Sequence, residues 1–253
     1  KAEMTSGIRS GILQFTYPES DSSFILLDMN HTLWQSCPWS NLRVENDSTL
    51  VGYKLVKGWG PERHVYFTAV FSKPFRDFGI MQDTIPVKYN TNRFRSSLEA
   101  WGKDLRFWMR FPTRQGEVVT VKTAVSAVSS DGAKLNMQEL EGKTFASLKA
   151  EGEKLWEGQL SKFKIEATPE QRETFYTSVY HAFLHPFIFQ DADGKFRELD
   201  KNIGQAEGFT NYTVFSLWDT YRALHPLFNL VQRDINADIV NSMLAHYDKS
   251  VEH

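Results

Sequence analysis

The hydrophobic period of this chain changes once, and that change limits its fold more than any other feature. Upstream of Asp131-Gly132, apolar residues recur with a period of two. His64–Ser72 sets Val65, Phe67, Ala69 and Phe71 on one face and Tyr66, Thr68 and Val70 on the other. Leu105, Phe107, Met109 and Phe111 alternate with Arg106, Trp108 and Arg110 in the same way. Glu117–Ser129 is β-branched and long enough to cross a sheet, and Ser23–Leu27 and Leu50–Val56 are further strands. Turn dipeptides punctuate them: Asn46-Asp47, Lys57-Gly58, Gly60-Pro61, Gln115-Gly116 and Asp131-Gly132. Many short strands in succession predict an antiparallel β-sandwich over residues 1–135. The face carrying Arg106, Trp108 and Arg110 is expected to be its amphipathic outer face, packed on a second domain.

After the change the period is helical. Phe145, Leu148, Leu155 and Trp156 predict a linking helix within residues 136–167, with helices beginning near Thr144. Thr168-Pro169-Glu170-Gln171 supplies an N-cap, a proline at the first helical position and a capping-box glutamine. Phe175, Tyr176, Val179, Tyr180, Phe183 and Leu184 then form a wide apolar stripe ending at Pro186. Asn236 is read as the cap of a last helix, with Ile239, Val240, Met243, Leu244 and Tyr247 facing inward. Helices with faces this wide cannot close a bundle by themselves. The faces around Phe175, Val179, Phe183, Val240 and Leu244 are therefore expected to be partly uncovered, or covered by further chain or a second chain. Lys1-Ala2-Glu3-Met4 does not read as a natural start, and Val251-Glu252-His253 offers no closing cap, so a longer precursor is expected.

A net charge of -2 at pH 7 and a pI near 6.4 give no electrostatic case for nucleic acid or an anionic membrane. No apolar run approaches the roughly 20 residues that insertion into a bilayer needs. The single cysteine, Cys37, excludes an intramolecular disulfide and a cysteine-built zinc site. No phosphate-cradling glycine loop or Gly-x-Ser-x-Gly elbow is present. His181 and His185 have metal-ligand spacing but lack the intervening glutamate of a zinc protease, and read as core or helix-end histidines. Asp191-Ala192-Asp193-Gly194 has its glycine fourth, where a calcium loop needs it sixth, so an Asp-Gly hairpin turn is expected.

The densest chemistry lies in Tyr212–Leu227, where an indole, a carboxylate, a guanidinium and an imidazole share one helical turn and its exit. Ser216 can cap a helix starting at Leu217, Asp219 suits its first turn, and Arg222 follows at i,i+3 from Asp219 and i,i+4 from Trp218. Pro226 is expected to break or kink the helix at His225. The residues read either as a helix-start acid with its ion-pair partner and a core tryptophan, or as equipment for binding a sugar.

Phe215-Ser-Leu-Trp-Asp-Thr-Tyr-Arg-Ala-Leu-His-Pro-Leu227 resembles the characteristic segment of the family 92 glycoside hydrolases, calcium-dependent exo-α-mannosidases. Gly52–Trp59, Val65–Phe75, Phe175–Pro186, Asp191–Arg197 and Gly208–Tyr212 agree with it in the family's order. The Gly-rich, His-containing segment that opens such enzymes is missing. The resemblance implies a β-sandwich (antiparallel, mainly β) followed by the first helices of an (α/α) barrel, in a truncated multi-domain enzyme. Residues 168–253 would be the opening of that barrel. It implies an inverting exo-α-mannosidase acting on α-mannosides or N-glycans, secreted, periplasmic or surface-attached in a bacterium. Trp218, Asp219 and Arg222 would bind the terminal sugar. The catalytic acid and base, and most ligands of the calcium ion, would lie beyond His253, so the chain alone is expected to be inactive. Two rival classes are a non-catalytic carbohydrate-binding or structural sandwich protein, and another sandwich-plus-barrel enzyme such as a maltose-type phosphorylase or a glucoamylase-like hydrolase.

Overall fold

The computed structural model describes residues 1–83, 85–86, 99–213 and 215–250. Val214 of the Tyr212–Leu227 stretch and the last three residues lie outside them. The chain forms two compact units, Lys1–Lys149 and Ala150–His253.

The first unit is a two-sheet antiparallel sandwich, as the alternation predicts. Seven strands pair in the order β1 (Ala2–Ser6), β2 (Ser10–Thr16), β11 (Val118–Ser126), β6 (Arg63–Phe71), β5 (Thr49–Lys57), β4 (Ser36–Val44), β9 (Glu99–Gly102). The second sheet runs β3 (Ser20–Asp28), β10 (Leu105–Thr113), β7 (Asp77–Gln82), β8 (Ile85–Pro86). Strand side chains alternate between faces, so each strand gives every second residue to the interior. From β10 these are Leu105, Phe107, Met109 and Phe111, all buried, and from β6 they include Ala69 and Phe71. Both sheets contribute to one core, and Phe107 meets Phe71 at 6.3 Å, Phe75 at 5.2 Å and Phe78 at 6.1 Å between ring centroids. Trp108 points the other way, stacked under the Arg110 guanidinium at 5.7 Å.

The first helix starts earlier than the spacing predicts. Asp131-Gly132 is not a turn between strands; it lies in the first turn of α1 (Ser130–Met137), and Ser129 Oγ caps that turn by accepting from the Gly132 N–H at 3.0 Å. A serine two residues ahead of Asp-Gly turned a hairpin signal into a helix start. A short 3-10 turn, Gln138–Leu140, follows, and Leu140 and Leu148 bury against Ile12 on the outer face of the seven-stranded sheet. Glu139 fixes this cover: it pairs with Arg9 at 2.8 Å and accepts from Ser10 Oγ at 2.9 Å.

The helix α2 (Phe145–Leu160) begins in the first unit and ends in the second, where α3 (Pro169–Ala182) follows with the capping box that the sequence demands. The Thr168 hydroxyl accepts from the Gln171 N–H, and the Gln171 side chain accepts from the Thr168 N–H at 3.1 Å. Two small ladders follow, β12 (Phe187–Ile188) with β15 (Tyr212–Thr213) and β13 (Lys195–Arg197) with β14 (Ile203–Gln205). Asp191–Gly194 is a turn, closed by the Gly194 N–H on the Asp191 carbonyl at 2.9 Å, with Gly194 at φ +83°. It is not a hairpin, because the strands on either side of it pair elsewhere. Three helices close the chain: α4 (Leu217–Thr220), α5 (Leu224–Val231) and α6 (Arg233–Ser250).

Three local expectations are corrected here. Asn236 does not cap the last helix: α6 has already begun at Arg233, and the Asn236 side chain instead donates to Asn229 at 2.7 Å. Pro226 does not break the helix at His225. It sits in the first turn of α5, where its missing N–H has no helical partner to lose and the carbonyl four residues back lies outside the helix. The break falls before Leu224, at Ala223. Finally, α6 buries Ile239 and Ser242, while Val240, Leu244 and Tyr247 are exposed. Of the stripe on α3, Val179 is buried and Phe175 and Phe183 are half-buried, so the apolar helix faces are only partly covered.

Gly52 marks the tightest point of the sandwich. A Cβ there would run into the Phe67 ring and come within 2.7 Å of the Asn41 carbonyl oxygen. Gly52→Ala is expected to destabilise the protein by about 1–3 kcal/mol. Gly158→Ala, a helical position where a Cβ meets nothing within 4 Å, should stabilise it by about 0.5–1 kcal/mol. Denaturant midpoints of the two variants on opposite sides of the parent would bear this out; a neutral Gly52→Ala would show that the close approach is not a constraint.

Candidate functional site

The Tyr212–Leu227 stretch is held at both ends and open in the middle. On its upstream side, Tyr212 pairs with Ile188 across the β12–β15 ladder. The Tyr212 N–H donates to Ser242 Oγ at 2.9 Å, a bond buried between the strand and α6. Ser242 itself is fully buried and donates to the Asp238 carbonyl at 2.7 Å. On the downstream side Phe228 is buried, and Tyr212, Phe228 and Ile239 form one cluster with Phe183, Ile188, Phe215, Leu224, Ile235 and Met243 around it. The apolar residues nearest each end, Phe215 and Leu224, belong to this cluster. The eight residues between them carry the exposed chemistry.

The single turn α4 buries none of its residues. Trp218 is 86% exposed, and Leu217 and Tyr221 are exposed beside it. Within this chain the indole is not packed into the cluster that anchors the stretch. Asp219 is exposed and accepts a short hydrogen bond from Ser216 Oγ on its Oδ2, while its N–H donates to the Ser216 carbonyl at 3.0 Å. Ser216 occupies the N-cap position, but its hydroxyl serves the Asp219 carboxylate instead of a backbone N–H. Oδ1 of Asp219 has no partner among the described residues.

Arg222 does not pair with Asp219 as the i,i+3 spacing predicts. Its Nε donates to the Tyr221 hydroxyl at 2.6 Å, and its guanidinium lies 5.4 Å from the centre of the Tyr221 ring. The spacing argument assumes a continuous helix, and α4 ends at Thr220. The structure therefore brings Trp218 and Asp219 together on one turn and places Arg222 past its end. Tyr221, which orients Arg222, was not picked out by spacing; an aromatic directly before an arginine was the available signal.

Among the described residues no group of three or more His, Cys, Asp or Glu side chains could hold a metal ion. His181 and His185 are both exposed, with His181 in the last turn of α3 and His185 beyond it. In the Asp191–Gly194 turn, Asp193 Oδ2 accepts from Lys195 Nζ at 2.7 Å, and that bond holds the Asp193 carboxyl below the usual carboxylate range. The described residues thus do not assemble the oxygen-rich shell that calcium requires. No helix among them is long and apolar enough to cross a membrane.

Two family models cover the chain, the glycosyl hydrolase family 92 N-terminal domain over residues 1–126 and the family 92 catalytic domain over residues 132–252. The chain belongs to glycoside hydrolase family 92. That places it apart from the phosphorylase and glucoamylase-like alternatives. It is 71% identical to the family 92 α-mannosidase BT3965 from Bacteroides thetaiotaomicron, over 99% of this chain and 34% of that one, with a TM-score of 0.95. The same enzyme in complex with mannoimidazole matches equally, again at 71% identity and a TM-score of 0.95, over 99% of this chain and 33% of that one. The inverting mannosidase BT2199 from the same species shares the fold at 22% identity and a TM-score of 0.78, over 96% of this chain and 33% of that one. The chain thus spans about a third of the length of these solved structures. No curated protein matches it.

The anchor of the site includes a titratable group, His246. Its ring lies edge-on to Phe196 and Phe215 at 6.1 and 6.2 Å, and its Nδ1 has no partner among the described residues. Burial pushes its pKa below the ordinary value of 6.5, against the opposing pull of the Tyr212 backbone and of Glu198, which Lys249 also faces at 3.6 Å. The unfolded chain therefore takes up the proton first as pH falls. The stabilisation from the neutral imidazole is complete above about pH 6.5 and is lost as pH falls through the folded-state value. His246→Gln should accordingly show a shallower fall in thermal midpoint between about pH 7 and pH 5 than the parent. Parallel curves would assign the acid sensitivity elsewhere.

Proposed function

We propose that this chain is part of a longer exo-α-mannosidase, and that the Trp218–Asp219 turn binds the terminal sugar of its substrate. The supporting observation is the 71% identity to an α-mannosidase over nearly the whole of this chain, together with an exposed Trp-Asp turn held between buried anchors. Asp219 would accept hydrogen bonds from sugar hydroxyls through Oδ1 while Ser216 steadies Oδ2. Trp218 would cover one face of the ring, since an indole buries a large apolar area while leaving its edge to polar groups. Arg222, held by Tyr221, would orient the sugar from beyond the turn.

Glycoside hydrolysis needs a carboxylic acid to protonate the leaving oxygen and a carboxylate to activate water or attack directly. In the inverting form the two stand roughly 6.5–9.5 Å apart, leaving room for the water. The resemblance puts both beyond His253, so Asp219 is read as a binding carboxylate and the isolated chain as inactive. Inversion, calcium dependence, N-glycan substrates and a location outside the bacterial cytoplasm or at its surface all rest on that resemblance.

Charge-assisted hydrogen bonds contribute roughly 1.5–3 kcal/mol net. In the complete enzyme Asp219→Ala should therefore lower kcat/KM on an α-mannoside by about tenfold to a few hundredfold, with little change in thermal midpoint. A role as helix-start acid predicts the opposite, about 1 kcal/mol of lost stability with turnover per folded molecule intact. Following the anomeric signal of newly released mannose by NMR checks the stereochemistry. The β-anomer should appear first, and early α-anomer would rule out inversion.

A further inference from the structure

Among the described residues, one end of the outer face of the seven-stranded sheet is covered. There α1 lies over β11, β6 and β5, and Leu140 and Leu148 bury Ile12 of β2. Beyond that cover the strand register assembles a different surface. Asn41 on β4 pairs with Trp101 on β9 and with Tyr53 on β5, and Tyr53 pairs with Tyr66 on β6. Two residues along, and so on the same face, Trp39 pairs with Leu55 and Leu55 with His64. The neighbours of opposite parity, Leu42, Leu50 and Ala69, are in the core, which fixes these rows as outward-facing.

Polar groups on this face are tied to ring edges. Glu99 Oε1 accepts from Trp101 Nε1 at 3.0 Å and from Asn41 Nδ2 at 3.3 Å. The Tyr53 hydroxyl lies 3.0 Å from His64 Nδ1, and the Tyr53 and Tyr66 rings are 4.8 Å apart. Trp101 and Trp39 nevertheless stay 54% and 46% exposed. Carboxylates are depleted from the cores of protein–protein interfaces, whereas here one is fixed among the aromatic rings. Arg43 stands beside Glu99 in the strand register and pairs with Glu45 at 2.8 Å, so the charges on this face are balanced. Balanced charges among neutral donors and acceptors complement an uncharged polyhydroxylated ligand. Flat indole faces beside such groups suit the apolar side of a pyranose.

We propose that this face is a second carbohydrate-binding surface, with Trp39 and Trp101 stacking on neutral hexopyranose rings of an oligosaccharide and Glu99 accepting from their hydroxyls. The identity of the sugar rests on the α-mannoside reading above. Two indoles on neighbouring strands of one face offer two stacking places, which favours a longer sugar chain over a single ring.

The test is calorimetric titration of the protein with methyl α-mannoside and with a linear α-manno-oligosaccharide, for the parent, Trp39→Ala, Trp101→Ala, Trp101→Phe and Asp219→Asn. Trp39→Ala and Trp101→Ala should each weaken oligosaccharide binding by about fivefold to tenfold or more, leave methyl α-mannoside binding unchanged, and keep the thermal midpoint. Trp101→Phe should recover part of the affinity, and Asp219→Asn should weaken methyl α-mannoside binding while oligosaccharide still binds the tryptophan face. Oligosaccharide binding by the parent that neither tryptophan variant alters overturns the surface while leaving the mannoside reading in place. A lowered midpoint with unaltered sugar affinity also overturns it, by showing that the face packs against protein. If neither sugar binds the parent, the mannoside reading itself fails, and the proposal with it.

Discussion

The alternation of side chains across a strand is the constraint from which the rest of the first unit follows. Once Leu105, Phe107, Met109 and Phe111 are committed to the interior, every other residue of β10 must face outward, and the strands paired to it inherit the same parity. The core around Phe107 therefore positions the outer surfaces as well. Trp39, Asn41, Tyr53, Leu55, His64, Tyr66 and Trp101 share one outer face because Leu42, Leu50 and Ala69 share the inner one. A slip of one residue anywhere in this register would bury the tryptophans and expose the leucines.

The second unit works from a smaller base. Its cluster of Tyr212, Phe228 and Ile239 supports an exposed turn that contributes nothing to the core itself. The buried stripe of α6 runs through Ile235, Ile239, Ser242 and His246, so it includes two polar groups, whereas Val240, Leu244 and Tyr247 lie on the neighbouring stripe and face water. The helix is turned about one residue away from its most apolar face. Ser242 lies on the buried stripe, where its hydroxyl accepts from the Tyr212 N–H and ties α6 to the strand that leads into the Trp-Asp turn.

Several readings failed where a local rule met a second one. Asp131-Gly132 signals a turn until Ser129 makes it the first turn of a helix. Proline after His225 signals a helix break until the helix starts at Leu224 and puts the proline where it is tolerated. Asp219 and Arg222 are spaced for an ion pair, but the helix that would join them ends after one turn, and a neighbouring tyrosine takes the arginine. In each case the deciding partner lies within three residues, yet which rule prevails depends on where the backbone bends. Packing of distant residues sets that bend.

From the sequence alone came the two-layer β unit, the change to helices, the capping box at Thr168, the family, and the residues Trp218, Asp219 and Arg222 as the place to look. These follow from period, composition and contiguous motif, which are written along one strand or one turn. Tertiary structure alone decided that the indole of Trp218 is exposed, that Asp219 is steadied by Ser216, that Arg222 belongs to Tyr221, and that Trp39 and Trp101 share a face with Glu99. Those facts depend on strand order and register, which join residues as far apart as Asn41 and Trp101. They depend as well on buried anchors such as Ser242, which lies thirty residues from the N–H it holds. Periodicity reports which side of its own strand a residue takes; only the assembled sheet reports which residues stand beside it there.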